Sequence, residues 1–162
     1  MKYPLLLKFN GTTIGRGFVA SVTFTGRFVG EETEHDGHTE WWLYGVNPSA
    51  IAESGERLQD ANQNLRDAIK DSLDWFASQA SGFVDFKARV ASFVNTTNEE
   101  NLSEWQEAVE RVRATKATLE NLPVWGAAMC ATVDVLEREV TDLSPSDNSP
   151  KAELGKPASE AA

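Results

Sequence analysis

The chain has 162 residues, 41% of them hydrophobic, with five Trp and eight Phe. That is enough apolar material for one core, one domain and its appendages, and too much for a disordered chain. A formal net charge of −10 and a pI near 4.6 argue against sequence-independent attraction to phosphate backbones. A single cysteine, Cys130, excludes an internal disulfide. The longest apolar run near the start, Tyr3 to Leu7, is far short of the ~20 residues of a membrane helix, and no secretory signal is visible, so a soluble cytoplasmic protein is expected.

The first quarter reads as strands. Tyr3, Leu5, Leu7 and Phe9 alternate with other residues, as do Phe18, Ala20, Val22 and Phe24, which is the period of a half-buried sheet. Asn10-Gly11 between them is a turn signal, since both residues tolerate positive φ. A third strand is predicted from Thr39 to Val46, with Trp42, Tyr44 and Val46 on one face and Trp41 and Leu43 on the other. The link Gly30–His38 is polar and acidic, with an Asp36-Gly37 pair suited to a hairpin tip, and is expected to be exposed and mobile.

Pro48 ends the ladder because it lacks a donor, and Gly55 is expected to supply a turn. From Leu58 the period changes. Leu58, Ala61, Leu65, Ala68, Ile69, Ser72, Leu73 and Phe76 recur at three and four, predicting one long helix with its apolar stripe on the sheet. After Gly82, the spacing of Phe83, Phe86, Val90 and Phe93 predicts a second helix that stops at Asn95-Thr96-Thr97-Asn98. Ser103-Glu104-Trp105-Gln106 resembles a capping box opening a third, which buries Trp105, Ala108, Val109, Val112 and Leu119 and ends at Pro123. Val124–Leu143 fits helix by its period and strand by its β-branched Thr132-Val133-Asp134-Val135. From Ser144 the composition predicts a disordered tail.

The expected fold class is α+β: an antiparallel sheet of about three strands packed by a long amphipathic helix, then a mostly helical extension. The expected division is 1–80 for the core, 81–143 for the extension and 144–162 for the tail.

Catalytic patterns are sparse. His35 and His38 are the only histidines; with Glu34, Asp36 and Glu40 beside them they suggest a metal, but a solvated hairpin tip explains them as well. Both lie in one link, so neither is placed to activate a serine or Cys130, which reads as a small core hydrophobe. Tyr3–Phe9 and Phe18–Phe24 contain no Asp or Glu, leaving two-metal hydrolysis no carboxylates on those rigid strands. Gly11–Gly17 lacks the lysine and hydroxyl of a phosphate loop. Arg111, Arg113 and Lys116 form the best basic patch, offset by Glu107, Glu110 and Glu120. No catalytic residue, cofactor or metal is assigned.

The aromatic residues of the third strand are the better candidates. Trp41 and Trp42 must point to opposite faces, so one is core and the other needs cover from a helix, a loop or a partner. Trp41, Trp42 and Tyr44 are therefore the candidate partner-binding residues, aromatic side chains being prominent in binding hot spots.

Gly17-Phe18-Val19-Ala20, Pro48, Gly55-Glu56-Arg57-Leu58-Gln59-Asp60-Ala61 and Asn64-Leu65 together resemble the β-β-β-α module of HicB-type antitoxins, over about residues 1–80. The family's second strand, turn proline and helix start fall on these positions. Here the span between Val22 and Pro48 is longer, Ser49 stands where a glycine is usual, and no ribbon-helix-helix or helix-turn-helix appendage is recognisable. The resemblance implies a non-catalytic bacterial module that binds, and in the family's manner neutralises, a small basic ribonuclease toxin; the acidic charge and the missing appendage predict no direct contact with nucleic acid, and the short apolar run none with membrane. A stand-alone structural or assembly protein, including a homo-oligomer, is the alternative, and an enzyme with an unrecognised site the third reading.

Overall fold

The computed structural model describes residues 1–115 and 132–138. Over these residues the chain is α+β, as expected. Strands β1 (Lys2–Gly15), β2 (Phe18–His35) and β3 (His38–Asn47) form an antiparallel meander, and β4 (Ala52–Gly55) joins the outer edge of β3. Three helices follow, α1 (Leu58–Gln79), α2 (Phe83–Asn95) and α3 (Glu99–Thr115), then strand β5 (Thr132–Arg138), which pairs antiparallel with β2. Where the period of 124–143 left helix and strand open, 132–138 is strand; its β-branched residues suit a pleated, half-buried surface.

β2 is the organising strand. β1 pairs along one of its sides from Lys2↔Glu31 to Gly15↔Phe18. The other side is divided: β3 takes Arg27 to His35, β5 takes Val19 to Thr25, and a register shift between Arg27 and Phe28 marks the changeover.

On one face Leu5, Leu7, Phe9, Phe18, Ala20, Val22, Phe24, Phe28, Trp41 and Leu43 make the core with α1 and α2. Helix α1 contributes Ala61, Leu65, Ile69, Leu73 and Ala77, all at most 1% exposed and spaced four apart, so the apolar period placed this stripe on the sheet as predicted. From α2, Phe86, Val90 and Val94 close the core, with Phe86 tilted on Phe18 at 5.2 Å. Helix α3 lies on the opposite face: Glu104 meets Lys2 at 2.6 Å and the Trp105 ring lies under Arg27 at 5.5 Å.

The β1–β2 turn differs from expectation. Asn10 pairs with Thr23 and Gly11 with Val22 in mid-ladder, and the chain reverses at Arg16-Gly17, where Gly17 takes φ 77. Stacking of Phe9 on its partner Phe24 at 5.4 Å sets the register, and that register puts the reversal at Arg16-Gly17. Gly11 serves space rather than turning, since a Cβ there would stand 2.9 Å from the Phe9 ring.

Two further elements correct the expectation. Gly30–His35 is not a loop but the end of β2, laddered to β3 as far as His35↔His38; only Asp36-Gly37, with φ 51 and 76, forms the tip, the conformation of a type I′ hairpin. Helix α3 starts at Glu99, not at Ser103: Asn98 Oδ1 accepts from the Asn101 amide at 2.9 Å, and the Asn98 amide is tied to the Val46 carbonyl at 3.0 Å. Asn caps as well as Ser, and this anchor to β3 selects it. Gly55 ends β4 rather than forming a free turn, and a Cβ there would lie 2.4 Å from the Ala61 nitrogen of α1.

Candidate functional site

β1 ends at the row of Lys2, Glu31 and Trp42 and β4 one row further, where Gly55 pairs with Trp41 opposite Glu32; past that row β2 and β3 continue alone to Asp36-Gly37. This two-stranded arm exposes Glu34, His35, Asp36, His38 and Thr39, and the row at its foot exposes Glu32. Its composition is one-sided. From Phe28 to Glu56 the chain has seven carboxylates, Glu31, Glu32, Glu34, Asp36, Glu40, Glu53 and Glu56, and no Lys or Arg.

The register sorts the arm's side chains, because directly opposed residues share a face and the faces alternate. One face carries Val29 with Tyr44, Glu31 with Trp42, Thr33 with Glu40 and His35 with His38. Trp42 and Tyr44, two apart on β3, stack at 5.9 Å with 12° between their planes. Both are half-buried. Trp41 is turned the other way, 9% exposed in the core and tilted on Tyr3 at 5.7 Å. Of the three aromatic candidates the fold thus brings Trp42 and Tyr44 together on one surface and uses Trp41 for packing.

At the base of this face the charges are coupled. Burial, and next the negative charge of Glu31, push the Tyr44 phenol above its ordinary range, with Glu104 and Glu40 adding to the rise and Lys2 opposing it. The hydrogen bond to Glu104 holds the Lys2 ammonium above its usual value, against the opposing effect of burial. Deeper in, Arg27 donates through Nε to Asn47 Oδ1 at 2.9 Å and also through Nη2, while Asn47 Nδ2 donates to Thr97 Oγ1 at 2.6 Å. Asn47 is only 3% exposed, so this chain of bonds satisfies it and fastens the α2–α3 junction to the foot of β3.

The remaining candidates are placed as follows. His35 and His38 face each other across the tip, with His35 Nε2 3.3 Å from Asp36 Oδ2. Among the described residues, no group of three His, Cys, Asp or Glu side chains is arranged to hold a metal ion. Arg111 donates to the Lys2 carbonyl and Arg113 pairs with Glu110 at 3.0 Å. Lys116, Leu119, Pro123, Cys130 and the tail from Ser144 lie outside the described residues. An open groove of about 460 Å³ is lined by Ser49 and Ala50 after β3, Phe76 of α1, and Phe93 and Arg89 of α2, Arg89 being bound to Asp85 at 3.2 Å. No helix among the described residues is long and apolar enough to cross a membrane.

The sequence places Glu40 beside the histidines and Glu31 in a solvated acidic link, and does not show that the two flank Trp42. The signal for them was the Asp36-Gly37 pair: folding the sequence back about it opposes Glu31 to Trp42 and Thr33 to Glu40. No protein-family model matches the chain, and neither a curated protein nor a solved structure does.

Proposed function

We propose that this protein is a non-catalytic binding module, resembling a HicB antitoxin, whose acidic arm engages a small basic protein of the ribonuclease-toxin kind and covers its RNA-binding surface. The observation that carries this reading is the span from Phe28 to Glu56, with seven carboxylates and no Lys or Arg, part of it held on an ordered two-stranded arm. Solubility alone is served equally by interspersed charges of both signs, whereas like charges held on neighbouring strands repel one another. Such a surface steers and orients a cationic partner. Neutralisation would be steric and electrostatic, and the setting a bacterial cytoplasm.

Co-expression with a small basic reading frame adjoining the gene tests it. Growth arrest by that frame should be relieved by the chain, and relief should be lost when Glu31, Glu34 and Glu40 become Gln and Asp36 becomes Asn. Arrest that persists beside the folded protein, or relief that survives these changes, would overturn the reading and favour a stand-alone structural role.

A further inference from the structure

The arm has two faces, and they differ in what they offer. On one, Trp42 is bordered by two carboxylates, Glu31 directly across the ladder and Glu40 two residues back on the same strand, with Tyr44 stacked on its other side. Neither carboxylate makes an ion pair or accepts a side-chain hydrogen bond among the described residues, and Lys2, the cation in that row, is already held by Glu104 at 2.6 Å. No cation lies over the Trp42 ring among the described residues; the aromatic–cation contact seen there is Arg27 over Trp105 at 5.5 Å. Helix α3 reaches this face at Glu104, while the rows of Thr33 and Glu40 and of His35 and His38 lie past the ends of β1 and β4.

We propose that this face of the arm receives an arginine side chain of the basic partner, its guanidinium lying flat on Trp42 and its N–H groups directed to Glu31 and Glu40. The inference rests on the reading of the arm as a surface for a basic protein and specifies which face is used and by what chemistry. Charge complementarity selects a cation. The aromatic platform between two carboxylates selects arginine over lysine, because a planar guanidinium stacks on a ring and presents several donors in a fixed fork, whereas an ammonium is a compact, strongly hydrated point charge.

The test is titration calorimetry at low ionic strength with short peptides in which arginine, lysine or citrulline alternates with glycine. The arginine peptide should bind most tightly, the lysine peptide less so and the neutral citrulline peptide not at all. Trp42→Leu should erase the arginine-over-lysine preference, a loss of roughly two- to fivefold for arginine, and Glu31→Gln and Glu40→Gln should weaken both cationic peptides. In the unaltered protein the arginine peptide should also shift the Trp42 indole N–H resonance, a readout that does not depend on Trp42→Leu folding. Equal affinity for arginine and lysine peptides with an unmoved indole resonance would overturn the arginine site, and, if the carboxylate variants still weakened binding, would leave the acidic-arm reading standing. No binding of either cationic peptide would overturn both.

Discussion

Thr13, near the end of β1, donates its hydroxyl to the Asp74 carboxylate on α1 at 2.7 Å, joining the far end of the first hairpin to the last turns of that helix. Thr13 is 3% exposed, while the Asp74 side chain is 48% exposed, so the bond straddles the boundary of the core. Burial pushes the Asp74 carboxyl upward, but hydrogen bonds from Lys70 and Thr13 outweigh it and hold the group below its ordinary value.

Removing that hydroxyl should be felt, and felt in a pH-dependent way. Thr13→Val is expected to cost about 1 kcal/mol, read as a lower urea midpoint at neutral pH. Because the folded Asp74 titrates lower than the unfolded one, its contribution is complete above the ordinary carboxylate range near pH ~4 and is lost as pH falls through the folded value. The gap between the two proteins should therefore narrow below pH ~4. A gap that widens on acidification would show that the bond is not to an ionised carboxylate.

Leu65 is fully buried at the centre of the α1 stripe. Leu65→Asp should abolish the cooperative thermal transition or lower its midpoint severely, since an ionised carboxylate there has no partner and its burial costs several kcal/mol unless it protonates. Circular dichroism melts decide this; an unchanged midpoint would mean that the stripe faces water.

The start of α3 separates two residues that are equally good caps on paper. Asn98→Ala should destabilise by about 1 kcal/mol because the Asn101 amide loses its acceptor, whereas Ser103→Ala, at an exposed helical position, should change stability by under ~0.5 kcal/mol. Chemical denaturation of both variants gives the comparison, and the reverse order would restore Ser103 as the cap.

With net charge −10, and with Arg111 and Arg113 both engaged within the chain, the protein is expected to show no salt-sensitive binding to duplex DNA or single-stranded RNA at physiological ionic strength. Electrophoretic shifts with its own upstream DNA check this. A submicromolar complex that weakens steeply with salt would contradict it.

What could be read from the sequence was whatever a long period carries. Leu65, Ile69 and Leu73 announce α1 because burial on one face of a helix repeats every turn, and Trp41 against Trp42 announces two faces because a strand alternates. Asp36-Gly37 was legible because a two-residue turn of that geometry demands positive φ. Short or acidic segments were not. Ala52-Glu53-Ser54-Gly55 is too brief and too poor in β-branched residues to announce β4, and Glu31 to Glu34 lie in strand because their backbone groups find partners on β3, which composition does not reveal. Asn10-Gly11 misleads for the opposite reason: its local preference for a turn is overridden by the pairing of Phe9 with Phe24.

The division of one side of β2 between two strands distant in sequence has a practical meaning. β5 closes the stretch Val19 to Thr25, so a chain shortened to end before Thr132 would leave seven residues of hydrophobic strand with open backbone donors and acceptors. Such an edge is a template for another chain. The shortened protein should therefore self-associate through intermolecular strand pairing, which makes the segment around Val133 and Val135 as much a guard against aggregation as a contributor to the core.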